Sequence, residues 1–202
     1  MKSQAALSHL LVAVTLYSAA GGCAVQQPSG EITDLQQRFE FQEFSILPPQ
    51  GPDWFVRMPP KAELQDLRIA FFKTTSVTHT FVAFVRAGSA GVGVENKEKY
   101  LRRLGQNVIE NRENVKAVNS NMSLEQSLKA DCLRYDIVSE VREVPLYEDH
   151  LFLLHDHGYF CLHPTIPKYV VSVEYGERHL ASEQPIPLES EFEPFLRSLV
   201  FK

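Results

Sequence analysis

Residues 130–163 read ADCLRYDIVSEVREVPLYEDHLFLLHDHGYFCLH. The arms 130–141 and 150–163 are rich in β-branched, aromatic and leucine side chains, which suit strands. Between them, 143–149 carries Pro145 and three acidic residues and reads as a turn. A hairpin centred between Leu146 and Tyr147 has a definite register. It sets Cys132 opposite Cys161, Tyr135 opposite Gly158, and Asp136 opposite His157. Strand side chains alternate between faces. Phe152, Leu154, Phe160 and Leu162 therefore share one face with Leu133, Tyr135 and Ile137, and this face is expected to be core. His155, His157, Tyr159, Cys161 and His163 share the opposite face, which is expected to be polar. The ring of Tyr135 is expected to cover the bare backbone at Gly158.

Working outward, residues 169–177 (YVVSVEYGE) continue as a further strand. Residues 190–199 read as a helix, with Ser190 and Glu193 spaced as a capping box and Pro194 early in the helix. Upstream, 96–116 carries the long helical pattern. Leu101, Leu104, Val108 and Val115 form its apolar stripe, and Lys97, Arg102, Arg103, Glu110 and Glu113 serve the solvated side. Before it, 39–47, 54–57, 68–74 and 80–86 read as strands separated by turn residues. Consecutive strands on short connections pair antiparallel, and two separated helices must cover the sheet. The fold class is α+β, mainly an antiparallel β-sheet flanked by helices. This element order, with a 54–57 strand before the Pro59–Pro60 turn, resembles the PsbP-like sandwich over about residues 39–201. That resemblance implies an accessory, non-catalytic role in a multi-component assembly.

The N-terminus has a different character. Lys2 precedes the apolar stretch 7–20 (LSHLLVAVTLYSAA), and the small residues Ala19 to Gly22 follow. This is the layout of a secretory signal over 1–22. Ala20–Gly21–Gly22–Cys23 resembles the bacterial lipobox, which implies that Cys23 becomes the acylated first residue of the mature chain. Acyl chains contribute about 0.8 kcal/mol per buried CH₂, so several of them anchor a protein without a spanning helix. Ala24 differs from the Asp of an inner-membrane retention signal. The expected place is therefore the outer membrane, facing the periplasm. Residues 23–38 read as a lipidated, flexible tether and 39–202 as one domain. Export also puts Cys132 and Cys161 in an oxidising compartment, where their opposed positions imply a disulfide.

The remaining chemistry is sparse. The net charge is −5 and the pI near 5.8, which argues against nucleic acid as a partner. His155 and His157 with Asp136 across from them form a candidate Zn²⁺ or Cu²⁺ set, against which stands a plain His157–Asp136 cross-strand pair. The loop 88–93 (GSAGVG) matches neither nucleotide-binding pattern and reads as a β-to-α connection. No Gly-x-Ser-x-Gly elbow occurs. Glu183, Glu189, Glu191 and Glu193 read as the solvated start of a helix. Trp54 and Phe55 are candidates for a pocket lining but are read as core. No cofactor and no enzymatic activity are expected. The leading expectation is an envelope lipoprotein that binds another envelope protein. A small-molecule or metal-binding protein is the alternative, and an unrecognised hydrolase the third.

Overall fold

The structure is a computed structural model that describes residues 29–58, 66–91, 94, 96–110, 114–126, 128–142 and 149–202. The signal stretch 1–22 and Cys23 lie outside the described residues, as do Pro59–Pro60 and the hairpin turn 143–148. The elements run β1 (Ser29–Glu31), β2 (Phe39–Glu40), β3 (Phe44–Ile46), β4 (Phe55–Arg57), β5 (Leu67–Thr74), β6 (Thr80–Ser89), α1 (Lys97–Glu110), β7 (Val115–Glu125), β8 (Cys132–Val141), β9 (Phe152–Leu162), β10 (Tyr169–Leu180), α2 (Glu189–Arg197) and β11 (Val200–Phe201). Eight strands form one sheet in the order β1-β4-β5-β6-β10-β9-β8-β7, and β11-β3-β2 form a second. Every pairing is antiparallel. The domain is α+β and mostly β, with two short helices. No described helix is long and apolar enough to cross a membrane.

The β8–β9 register is the one expected: Cys132 faces Cys161, Tyr135 faces Gly158, and Asp136 faces His157. Cys132 and Cys161 are joined as a disulfide. Tyr135 lies over Gly158, where a Cβ would fall 2.7 Å from its hydroxyl oxygen and from the Val173 carbonyl. The hydroxyl runs on to donate to Glu174, which also accepts from Ser172. This buried carboxylate is thus satisfied by two hydroxyls.

Both faces of the large sheet are core at its centre. On one face α1 packs Tyr100 and Leu101 against Leu133, Tyr135, Ile137, Phe160 and Leu162, as the alternation requires. The other face was expected to be polar, yet it holds the larger core. There α2 and the small sheet bring Phe192, Phe195, Leu196, Phe44 and Ile46 down on Phe71, Ala83, Val173, Tyr159 and Cys161. A buried Phe of this kind contributes about 1.5–3 kcal/mol. Of the β9 histidines, His157 borders this core, its ring stacked on Phe192.

Several expectations are corrected. The single strand at 39–47 is the hairpin β2–β3, closed by a Phe41 N–H to Phe44 carbonyl bond, so that Phe39 and Ile46 both meet the core. The helix at 96–116 ends at Glu110. Asn114 turns at φ 61°, a conformation asparagine tolerates, and Val115 opens the edge strand β7. β6 extends to Ser89, so Gly88 and Ser89 pair with β10 instead of lying in a loop. No capping box forms: Leu188 is the N-cap, and Glu193 bonds Arg134 and Arg197. Residues 29–38, assigned to the tether, belong to the domain. β1 pairs with β4, Ile32 packs on the core, and Arg38 binds Ser45 and the Ser198 carbonyl.

Candidate functional site

The strand alternation collects histidines on the α2 face. His157 Nδ1 lies 2.6 Å from Asp136 Oδ1, and its ring stacks on Phe192 at 5.1 Å. The hydrogen bond from His157 holds the Asp136 carboxyl below its ordinary range, helped by Arg134. His163 Nε2 donates to the Glu43 carbonyl, leaving Nδ1 to accept the Thr165 and Ile166 amides. His155 turns the other way, with its Nε2 3.3 Å from His179 Nε2.

His155 joins a group that no sequence pattern announced. His179 is fully buried and donates from Nδ1 to the Leu180 carbonyl, so its Nε2 accepts from His155. The His179 ring lies 5.3 Å from His79. His79 Nε2 pairs with Glu177 Oε1 at 2.7 Å, both side chains under 9% exposed, and the same oxygen accepts the Ile186 amide. The nitrogens are thus turned to each other, to Glu177 and to backbone. Among the described residues no group of three or more His, Cys, Asp or Glu side chains is arranged to hold a metal ion. The candidate metal set is not brought together: His157 and Asp136 satisfy each other, while His155 leans to His179.

Burial holds the His155 pKa below its ordinary 6.5, and the neighbouring His179 and His157 act in the same direction, against Glu177. A base whose folded pKa is depressed stabilises the fold fully above its unfolded pKa and loses that contribution as pH falls through the folded value. Stability should therefore decline as pH drops below about 6.5. A second decline should follow as Asp136 protonates below its ordinary 3.8. Urea midpoints measured from about pH 7.5 to about pH 5 should fall for the parent and fall less for His155→Gln. Equal slopes would remove His155 from this account.

Three of the four acidic residues expected to be solvated are instead partnered, while Glu189 is exposed as expected. Glu191 bonds Lys73 and Trp54, Glu193 bonds Arg134, and Glu183 accepts from Thr78 and the Leu180 amide. Trp54 is wholly buried core, whereas Phe55 is 51% exposed. Two grooves, of about 370 and 270 Å³, flank the Lys97–Asp131 ion pair near the start of α1. They lie away from the His155–His179 pair.

The other conspicuous surface is the α1 face itself. α1 packs over β7, β8 and β9. Among the described residues neither helix packs in this way over the same face of β4, β5 and β6. Phe55, Phe72 and Val82 follow one another there in register, with Phe84 alongside. Phe72, Val82 and Phe84 are half-buried and belong to neither core cluster. Arg86 lies over the Phe84 ring at 4.6 Å.

No family model matches the chain, and no curated protein does. Among solved structures, the chain is similar to the crystal structure of LpqN, involved in cell envelope biogenesis of Mycobacterium tuberculosis. The identity is 10% and the TM-score 0.49, over 86% of this chain and 90% of that one.

Proposed function

We propose that this chain is a non-enzymatic lipoprotein of the cell envelope, anchored through Cys23 in the outer membrane on its periplasmic side, whose domain docks another envelope protein. The observation that carries the docking role is the part of the α1 face that, among the described residues, neither helix covers. Phe72, Val82 and Phe84 make an apolar strip flanked by Arg86, and aromatic residues and arginine are enriched at protein interfaces. The disulfide supports export, because such bonds persist in oxidising compartments. The lipobox resemblance supports the anchor.

The test has two readouts in intact cells. Radiolabelled palmitate should enter the parent chain and not Cys23→Ser; labelling of that variant would remove the anchor. A photoreactive phenylalanine at position 84 should crosslink one protein that the same probe at position 77 does not. Purified, that protein should bind the domain at least roughly tenfold more weakly after Val82→Glu, since one buried apolar contact is worth about 1.5–3 kcal/mol. Unchanged binding would overturn the docking surface.

A further inference from the structure

Exposed apolar side chains on a protein surface are unremarkable when single, as Val77 is in the β5–β6 turn. Phe55 and Met58 are exposed close together along the chain, on opposite sides of the β4 strand by its alternation. They lie three residues apart, Phe55 on β4 and Met58 just after it, and are 51% and 39% exposed. Arg57, also exposed, lies between them.

Their position relative to the N-terminus gives them an occupant. β1 runs antiparallel to β4, with Ser29 opposite Arg57 and Glu31 opposite Phe55. The chain therefore enters the sheet beside the C-terminal end of β4, where Met58 follows Arg57. Only residues 24–28 separate Cys23 from Ser29. Fully extended, that link spans about 21 Å between Cα atoms. The eight-stranded sheet is about 34 Å across at its strand spacing. The headgroup layer of one leaflet is about 5–7 Å thick. An anchor at Cys23 thus keeps the β1–β4 corner within about 21 Å of the acylated cysteine, close enough to reach the bilayer, whereas the β7 edge is free to swing away. Among the orientations this leaves, the ones that bury Phe55 and Met58 gain apolar area.

We infer that the β1–β4 corner rests on the bilayer that holds the anchor, with Phe55 and Met58 in the lipid interface and Arg57 at the level of the phosphates. A cationic side chain on an apolar stem suits that depth. This inference rests on the lipid-anchor reading and deepens it: the tether is a short strap that docks the domain on the membrane by one corner. The Phe72–Phe84 strip lies on the same face as Phe55 but one and two strands farther from the β1 edge, so it rises away from the bilayer.

The test uses the full-length acylated protein in vesicles of phosphatidylethanolamine and phosphatidylglycerol. Met58→Trp adds a tryptophan to a chain whose single tryptophan, Trp54, is buried. Its emission above the parent's should shift to the blue and fall at least twofold when nitroxide-headgroup lipid is included. Phe55→Trp should behave alike. Val77→Trp, in the β5–β6 turn and 75% exposed, should be unaffected. Palmitate incorporation is measured in the same preparations. Acylated, vesicle-bound protein whose position 58 is not quenched overturns the membrane contact and leaves the anchor standing. A blue shift without lipid quenching also overturns it, because protein then covers the corner. Protein that carries no palmitate and does not sediment with vesicles removes the anchor reading itself.

Discussion

Cys132→Ser should lower the thermal midpoint of the domain by roughly 7–14 °C. The bridge closes a loop with a sequence separation of 29 residues. The chain-entropy treatment of such a loop gives about 3.5 kcal/mol, and each kcal/mol is worth about 2–4 °C in a domain of this size. Two features keep the loss near that figure. The cysteines are a directly opposed pair on adjacent strands, so the native backbone already holds them together. Both are buried in the larger core, so a serine hydroxyl there must find a new partner. Melting followed by far-ultraviolet dichroism, with and without reductant, checks this. Reduction of the parent should reproduce most of the loss, and reductant should not affect the variant. A midpoint unchanged by the substitution would mean that the strands hold their register without the bridge.

That bridge belongs to the part of the fold that was most legible in the sequence. The arms of 130–163 alternate cleanly around one turn, so a single register placed Cys132, Tyr135 and Asp136 against their partners. The faces were harder to read. His155, His157 and His163 suggested a wet surface, but each ring has a nitrogen paired in the structure, with His157 against α2, His163 against the small sheet and His155 against His179. Nothing local reports that distant elements will cover a face. β7 was invisible for a related reason. An edge strand packed mainly by one neighbour tolerates Asn119, Ser120 and Asn121, and Val115 could equally extend the helical stripe before it. The short strand β1 carries almost no signal in Ser29–Glu31, because its pairing is supplied by β4.

The imidazole cluster was missed for want of one extension. Val171, Val173, Tyr175, Glu177 and His179 keep one alternation to the end of β10, but the strand was ended at Glu177. Carrying the pattern two residues further would have put His179 beside Glu177 on the face that holds His155. His79, just before β6, comes from still farther along the chain. Its pairing with Glu177 is a tertiary fact with no local trace. The acidic stretch before and within α2 misled in the opposite direction, because clustered glutamates usually mark solvent, whereas one of these carries a central contact.

Glu191→Ala should cost about 3–5 kcal/mol, the usual loss when one partner of a buried ion pair is removed. The carboxylate receives Lys73 Nζ at 2.9 Å on each oxygen and Trp54 Nε1–H at 2.8 Å. The two charged side chains are only 9% and 14% exposed. The Glu191 backbone carbonyl also accepts the Gln50 amide. Gly51 adopts φ 103° directly against the carboxylate, where a Cβ would fall 2.6 Å from its carbon. One side chain thus ties α2, β5 and the loop that leads into β4. Truncation leaves a buried ammonium with no counter-charge and an indole N–H with no acceptor. Glu191→Gln should lose less, since its amide oxygen still accepts from Trp54 while the charge of Lys73 remains unpaired. If the unpaired charge is the dominant cost, Lys73→Met in the Glu191→Leu background should recover stability to within about 1–3 kcal/mol of the parent, the remainder being the orphaned indole. Urea unfolding of the four proteins decides the point. A double variant no more stable than Glu191→Ala would mean that shape, and not charge, is what Glu191 contributes. Because the loop it holds ends at Trp54, beside Phe55, the same loss should loosen the β1–β4 corner first, seen as faster amide exchange at Ile32, which donates to the Trp54 carbonyl.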